Sequence, residues 1–258
     1  MPSLKFKNKT IHYLINKPTN FKKNNKALIF IHGSGEHSFL WQHQMEEIDA
    51  NIPLISIDLP SHGKSSKFEH LSLDLYVESI KILQKKLDIG KVILCGHSLG
   101  GAIAQKSYFK YPENVIGLIL MSTGARLRVL DEILNYTKNN FNEYLKNIPV
   151  GAFYRKTSKN LVDDYIKEVS KTEPMVIHTD FKICNNFDML NEISSINVPC
   201  LIIVGKADVL TPVKYHKFFH KHIKDSELHI INNAGHSVMI EKPIQVNKFI
   251  EKFLQRFD

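Results

Sequence analysis

Apolar residues along the chain gather into short continuous runs, and several of these end in a polar, glycine-containing loop. Ala27 to His32, Leu54 to Asp58, Val92 to Cys95, Val115 to Met121 and Cys200 to Val204 are such runs. Their length and lack of alternation predict strands covered on both faces. Ile11 to Ile15 and Glu227 to Ile231 also predict strands. Leu73, Val77, Ile80, Leu83 and Leu87 keep helical spacing, with Gly90 just beyond the end. A second helical stretch runs to about Tyr111 and stops at Pro112; a third starts near Pro212. Ile244, Val246, Phe249, Ile250, Phe253 and Leu254 mark a closing amphipathic helix. Strands alternating with helices call for an α/β fold with a doubly wound, mostly parallel sheet.

This rhythm breaks between about Thr123 and Ile193. Arg126 to Lys146 and Leu161 to Ser170 carry helical patterns, Pro149, Gly151 and Pro174 interrupt them, and no strand run intervenes. The predicted organisation is a core from residues 1–123 and 191–258 with a helical insertion at 124–190. A length of 258 residues suits one large domain with such an insertion.

Composition narrows the class. With 43% hydrophobic and 23% charged residues the chain can bury a core. The longest apolar run, Val115 to Met121, is far shorter than the roughly 18 residues of a spanning helix. The first residues, Met1 to Lys9, place lysines where a signal peptide needs apolar residues, which predicts a cytoplasmic protein. Cys95, Cys184 and Cys200 form no metal-ligand spacing and read as buried thiols. The net charge of +8 would suit an anionic partner. However, the lysines fall in short clusters (Lys22 and Lys23, Lys85 and Lys86, and Lys214, Lys217, Lys221 and Lys224) with no nucleic-acid motif, so a solvated surface without nucleic-acid binding is expected. Weak contact with a lipid surface stays open.

The chemistry-bearing signal is Gly96-His97-Ser98-Leu99-Gly100, a G-x-S-x-G sequence between a predicted strand and a predicted helix. So sharp a turn excludes side chains beside Ser98, hence the glycines. A serine hydroxyl needs a base to take its proton and an acid to orient that base. Asp208 follows a later strand and His236 follows the last, in the order Ser, Asp, His that such an elbow requires. All three loops leave the C-terminal ends of parallel strands. His32-Gly33-Ser34-Gly35 leaves an earlier strand at the same edge, and the backbone N–H groups of Ser34 and Leu99 are the candidate oxyanion hole. Asp180 and Asp188 are substitutes for the acid. His97, His32 and His62 read as structural. His216, His220 and His222 read as a solvated helix face rather than a metal site, and no metal or cofactor is expected.

With these residues in place, the chain resembles the α/β-hydrolase fold superfamily over essentially its whole length, with the insertion as a helical cap. Asp58-Leu59-Pro60-Ser61-His62-Gly63-Lys64-Ser65 resembles that family's D-x-P-G-H-G-x-S segment, with Ser61 where glycine is usual. His32 to Ser38 locally resembles monoacylglycerol lipases. The resemblance implies a serine esterase that cleaves small to medium carboxylic esters through an acyl-enzyme. Monoacylglycerol lipase, thioesterase, carbon–carbon hydrolase and perhydrolase activities use the same constellation and stay open. So does a ligand-binding signalling receptor on the same fold. The related dehalogenases and epoxide hydrolases carry Asp at the elbow, so Ser98 argues against those activities. Phe141, Tyr144, Phe153, Tyr154, Met175, Phe181, Phe187 and Met189 are candidates to line an acyl pocket. Arg126 and Arg128 either meet a substrate carboxylate or hold the cap by ion pairs.

Overall fold

The computed structural model describes residues 2–18 and 26–258. In chain order the elements are β1 (Ser3–Phe6), β2 (Lys9–Asn16), β3 (Lys26–Ile31), α1 (Gln42–Glu47), β4 (Leu54–Ile57), α2 (Leu73–Lys86), β5 (Lys91–His97), α3 (Leu99–Lys110) and β6 (Val115–Met121). Four helices follow: α4 (Asp131–Asn139), α5 (Phe141–Ala152), α6 (Lys159–Val169) and α7 (Pro174–Asn186). The chain then returns to β7 (Cys200–Gly205), α8 (Val213–His222), β8 (Ser226–Ile231), α9 (Val238–Glu241) and α10 (Pro243–Leu254).

The eight strands form one sheet in the order β1-β2-β4-β3-β5-β6-β7-β8. Pairing is antiparallel for β1 with β2 and for β2 with β4, and parallel from β4 to β8. The continuous apolar runs are explained by helices on both faces, because successive side chains point opposite ways. Ala27, Ile29 and Ile31 of β3 share one core with Val92 and Leu94, against Leu75 and Tyr76 of α2, Ile103 of α3 and Phe219 of α8. Leu28 and Phe30 join Ile93, Cys95, Ile119 and Met121 in the other core, against Met45 of α1 and Val246, Ile250 and Phe253 of α10.

The pattern missed β1, whose Ser-Leu-Lys-Phe alternation buries only Leu4 and Phe6. It also ran α4 and α5 together. Residues 126–130 are not helical, and the two helices break at Asn140, whose side chain accepts the Glu143 N–H at 3.3 Å and starts α5. Pro149 and Gly151 lie inside α5, and Pro174 opens α7 at a position where a missing N–H costs nothing. No helix among the described residues is long and apolar enough to cross a membrane. The lysines of α8 and Lys224 are exposed, as are Lys85 and Lys86; Lys22 and Lys23 lie outside the described residues.

Candidate active site

Ser98 joins β5 to α3 with φ +52° and ψ −116°, a left-handed backbone that a serine adopts only under constraint. The constraint is packing. A Cβ on Gly96 would lie 2.2 Å from the Gly100 carbonyl oxygen, and one on Gly100 would lie 2.1 Å from that of Ile31. Gly101 is equally closed, 2.5 Å from the Thr123 side chain. The Ser98 N–H donates to Met121 O at 3.1 Å and the Ser98 carbonyl accepts the Thr123 hydroxyl at 2.8 Å, so the turn is held at both ends.

The loops after β7 and β8 bring Asp208 and His236 together. His236 Nδ1 is 2.9 Å from Asp208 Oδ2, and both side chains are buried. Asp208 also accepts the Leu210 and Thr211 N–H groups at 3.0 and 2.8 Å and the Thr211 hydroxyl at 2.7 Å. Burial alone would raise its carboxyl. The His236 charge and hydrogen bond, with those from Thr211, outweigh burial and hold it at about 2. Burial likewise acts to lower the His236 imidazole, but Asp208, helped by Glu36 and Glu241, lifts it above its ordinary 6.5. The neighbour of Ser98 joins this pair: the His97 ring lies 4.7 Å from that of His236, and its Nε2 donates to the His236 carbonyl at 3.2 Å.

The loop after β3 lies against Ser98, since a Cβ on Gly33 would be 3.1 Å from the Ser98 Cβ. Two buried carboxylates grip it. Glu36 accepts the Gly33 N–H at 2.6 Å, His97 Nδ1 at 2.9 Å and the Tyr165 hydroxyl at 2.6 Å. Asp180 accepts the Gly35 N–H at 3.0 Å, His62 Nε2 at 2.8 Å and the Tyr76 hydroxyl at 2.6 Å. Between those engaged amides, the Ser34 N–H donates to no protein group among the described residues, and neither does that of Leu99 in the first turn of α3. Ser34 and Ser98 remain partly exposed while their neighbours are buried.

A family model described as serine aminopeptidase S33, Hydrolase_4, matches residues 22–243. This chain belongs to the Hydrolase_4 family. Its fold is that of the α/β-hydrolases, and the protein is a hydrolase. A solved thermophilic esterase is 36% identical to this Hydrolase_4 member, with a TM-score of 0.87 over 99% of this chain and 97% of that one. The pimeloyl-[acyl-carrier protein] methyl ester esterase of Wigglesworthia glossinidia brevipalpis is 29% identical over 251 residues, covering 90% of this chain and 94% of the relative. Monoacylglycerol lipase ABHD6 of Bos taurus is 25% identical over 262 residues, covering 88% and 75% respectively.

In this hydrolase the two substitute acids have other partners. Asp180 serves Gly35, His62 and Tyr76, while Asp188 faces Arg128 at 3.3 Å and Arg126 at 3.8 Å. Both arginines therefore join the stretch between β6 and α4 to the stretch just after α7. His32 donates from Nδ1 to the Gly33 carbonyl and accepts the Leu59 N–H at Nε2; burial pushes its imidazole down to about 4, which suits that neutral tautomer. His216 departs from the solvated face predicted for it. It is fully buried beneath the Asp208 loop and accepts the Thr123 N–H at 3.0 Å, because its position on α8 turns it toward the sheet. Among the pocket candidates, Tyr144 packs on Phe141 and Phe181, Phe153 and Phe187 are buried, and Met175 is 55% exposed at the outer start of α7. The sequence carries no expectation for Glu36 or Tyr165, and it reads Asp180 as a substitute acid and His62 as a structural loop histidine without pairing the two. Only the D-x-P-x-H-G segment around His62 carried a local signal for them.

Proposed function

We propose that this hydrolase cleaves carboxylic esters with small to medium acyl groups through an acyl-enzyme on Ser98. The observation that carries this reading is the 2.9 Å contact of Asp208 with His236 Nδ1, which keeps the lone pair of the neutral ring on Nε2, at the sheet edge where Ser98 follows β5. Ser98 Oγ attacks the carbonyl carbon as His236 Nε2 takes its proton. The carbonyl oxygen becomes an anion, stabilised by the Ser34 and Leu99 N–H groups. Collapse breaks the ester C–O bond, and the imidazolium returns its proton to the departing alcohol. Water, deprotonated by His236, then attacks the acyl-enzyme; a second oxyanion collapses and Ser98 leaves with the proton, releasing the acid. Asp208 stays ionised and compensates the imidazolium in both halves. The chemistry needs no cofactor.

Residues 124–190 act as a cap over this site in the same reading, with their aromatic side chains toward the acyl group. The esterase and lipase relatives support a small-molecule ester as the substrate, and the three unpaired cysteines support work in the cytoplasm. The deciding variant is Ser98→Ala, checked for an unchanged circular dichroism spectrum. Its kcat for an aryl ester should fall by roughly 10⁴-fold or more. Wild-type turnover by the folded variant would overturn the assignment. A series of acyl lengths, run beside thioester and lactone substrates, then assigns the substrate class.

A further inference from the structure

Helix α7 and the turn before it hold Gly35 at both of its backbone polar groups. The Gly35 N–H donates to Asp180 of α7 at 3.0 Å, and its carbonyl accepts the hydroxyl of Thr172, between α6 and α7, at 2.9 Å. Gly35 has φ +72°, and a Cβ there would lie 2.8 Å from Ile177 of α7, so the loop fits the helix only as glycine. Asp180 is fully buried and is tied to the core by His62 and Tyr76, which come from two separate segments. On the other side of Ser34, Gly33 N–H is fixed by Glu36, which Tyr165 of α6 holds through its hydroxyl at 2.6 Å. The Ser34 N–H belongs to the peptide between these two pinned planes. At its other end this rigid peptide carries the Gly33 carbonyl, which accepts His32 Nδ1 at 2.9 Å and the Glu36 N–H at 3.3 Å, and the Asp180 contact at Gly35 fixes the plane that follows it, with only the torsions at Ser34 between.

We propose that Asp180 is a positioning residue through which the seating of the inserted helices sets the direction of the Ser34 N–H, and with it the strength of oxyanion stabilisation. The proposal rests on the oxyanion role given to Ser34 above. It makes the cap part of the catalytic apparatus without contact between Asp180 and substrate: a shift of α7 changes kcat rather than ground-state binding.

The test is Asp180→Asn, which keeps the shape and removes the charge. Losing a whole oxyanion donor costs about 10²–10³-fold in kcat, so a misdirected one should cost roughly 10–100-fold, with KM within about twofold. Affinity for an alkyl boronic acid, whose tetrahedral adduct on Ser98 places an oxygen in the hole, should fall by the same factor as kcat/KM. Affinity for a non-hydrolysable ether analogue should hold. Leu254→Ala, a buried site on α10 that loses stability without touching this loop, should leave kcat and boronate affinity unchanged. If Asp180→Asn yields no folded protein, Thr172→Val reads the same coupling at the Gly35 carbonyl, with a several-fold loss in both measures. Unchanged boronate affinity in a folded variant, or equal losses for boronate and ether, overturns the proposal. Ser98→Ala separates this failure from failure of the functional reading: an inactive Ser98→Ala beside a fully active Asp180→Asn sinks only the positioning role, whereas an active Ser98→Ala sinks both.

Discussion

Asp208 Oδ2 accepts both His236 Nδ1 at 2.9 Å and the Thr211 hydroxyl at 2.7 Å, while Oδ1 takes two backbone N–H groups. The carboxylate is thus fixed as an acceptor toward the imidazole. In Asp208→Asn the amide can present its NH₂ to Nδ1, which puts the ring proton on Nε2 where a lone pair is required. The kcat for an aryl ester should drop on the order of 10³–10⁴-fold with little change in KM. A loss below tenfold would show that the acid lies elsewhere.

The pH–rate profile follows from His236, which must be neutral to accept a proton. Its imidazole titrates above 6.5 because Asp208 outweighs the opposing effect of burial. The expected kcat/KM therefore rises with pH along a limb of unit slope whose midpoint lies above 6.5. Asp208→Asn should move that midpoint down. A wild-type midpoint below 6 contradicts the arrangement.

Stability should decline on both sides of neutrality, for opposite reasons. Burial acts to raise the Glu36 carboxyl, yet the His97 charge, with hydrogen bonds from His97, Tyr165 and the Gly33 N–H, holds it at about 2. A depressed carboxylate stabilises the fold above its unfolded value near 4.5 and loses that contribution as pH falls toward 2, together with Asp208. His62 is the reverse case: burial acts to lower it, but Asp180 raises it above 6.5, so its contribution is complete below 6.5 and is lost as pH rises through the folded value. Thermal melts between about pH 3 and 9 should show both limbs. Glu36→Gln should flatten part of the acid limb and cost about 1–3 kcal/mol at neutral pH, because the amide cannot accept from the Gly33 N–H, His97 Nδ1 and the Tyr165 hydroxyl together. An acid limb of undiminished slope in that variant would refute the Glu36 contribution.

Two glycines make a paired prediction. Gly100→Ala sets a methyl against the Ile31 carbonyl at 2.1 Å, where only backbone can yield. A cost of about 3 kcal/mol or more lowers Tm by roughly 6–12 °C, or prevents recovery of folded protein. Gly151→Ala meets Leu210 at an ordinary 3.4 Å inside α5 and should raise stability by about 0.5–1 kcal/mol. Equal melting temperatures for the two variants would contradict the packing of the elbow.

The parts of this protein legible in its sequence are those written locally. Buried parallel strands are continuous apolar runs, and Ser98, Asp208 and His236 each sit in a short loop just after one. Even the Ser61 departure has a readable cost: it adopts φ +70°, where glycine is favoured, and its hydroxyl accepts the Phe68 N–H at 2.8 Å. Glu36 and Asp180 have no such signature. Their partners lie far along the chain, 129 residues away for Tyr165 and 145 for the Gly35 contact of Asp180, so a single carboxylate in a polar loop or helix gives no sign of burial. His216 departs from its expected exposure for a related reason: within a helix crowded with lysines and histidines, composition says exposed while its place in the helical turn says buried.

His97 and Ser98 are consecutive residues, and His97 holds the peptide carbonyl of His236 at 3.2 Å. The end of β5 is thus tied to the loop after β8 by a side chain one residue from the serine, so the strand that presents Ser98 also braces the backbone that carries His236.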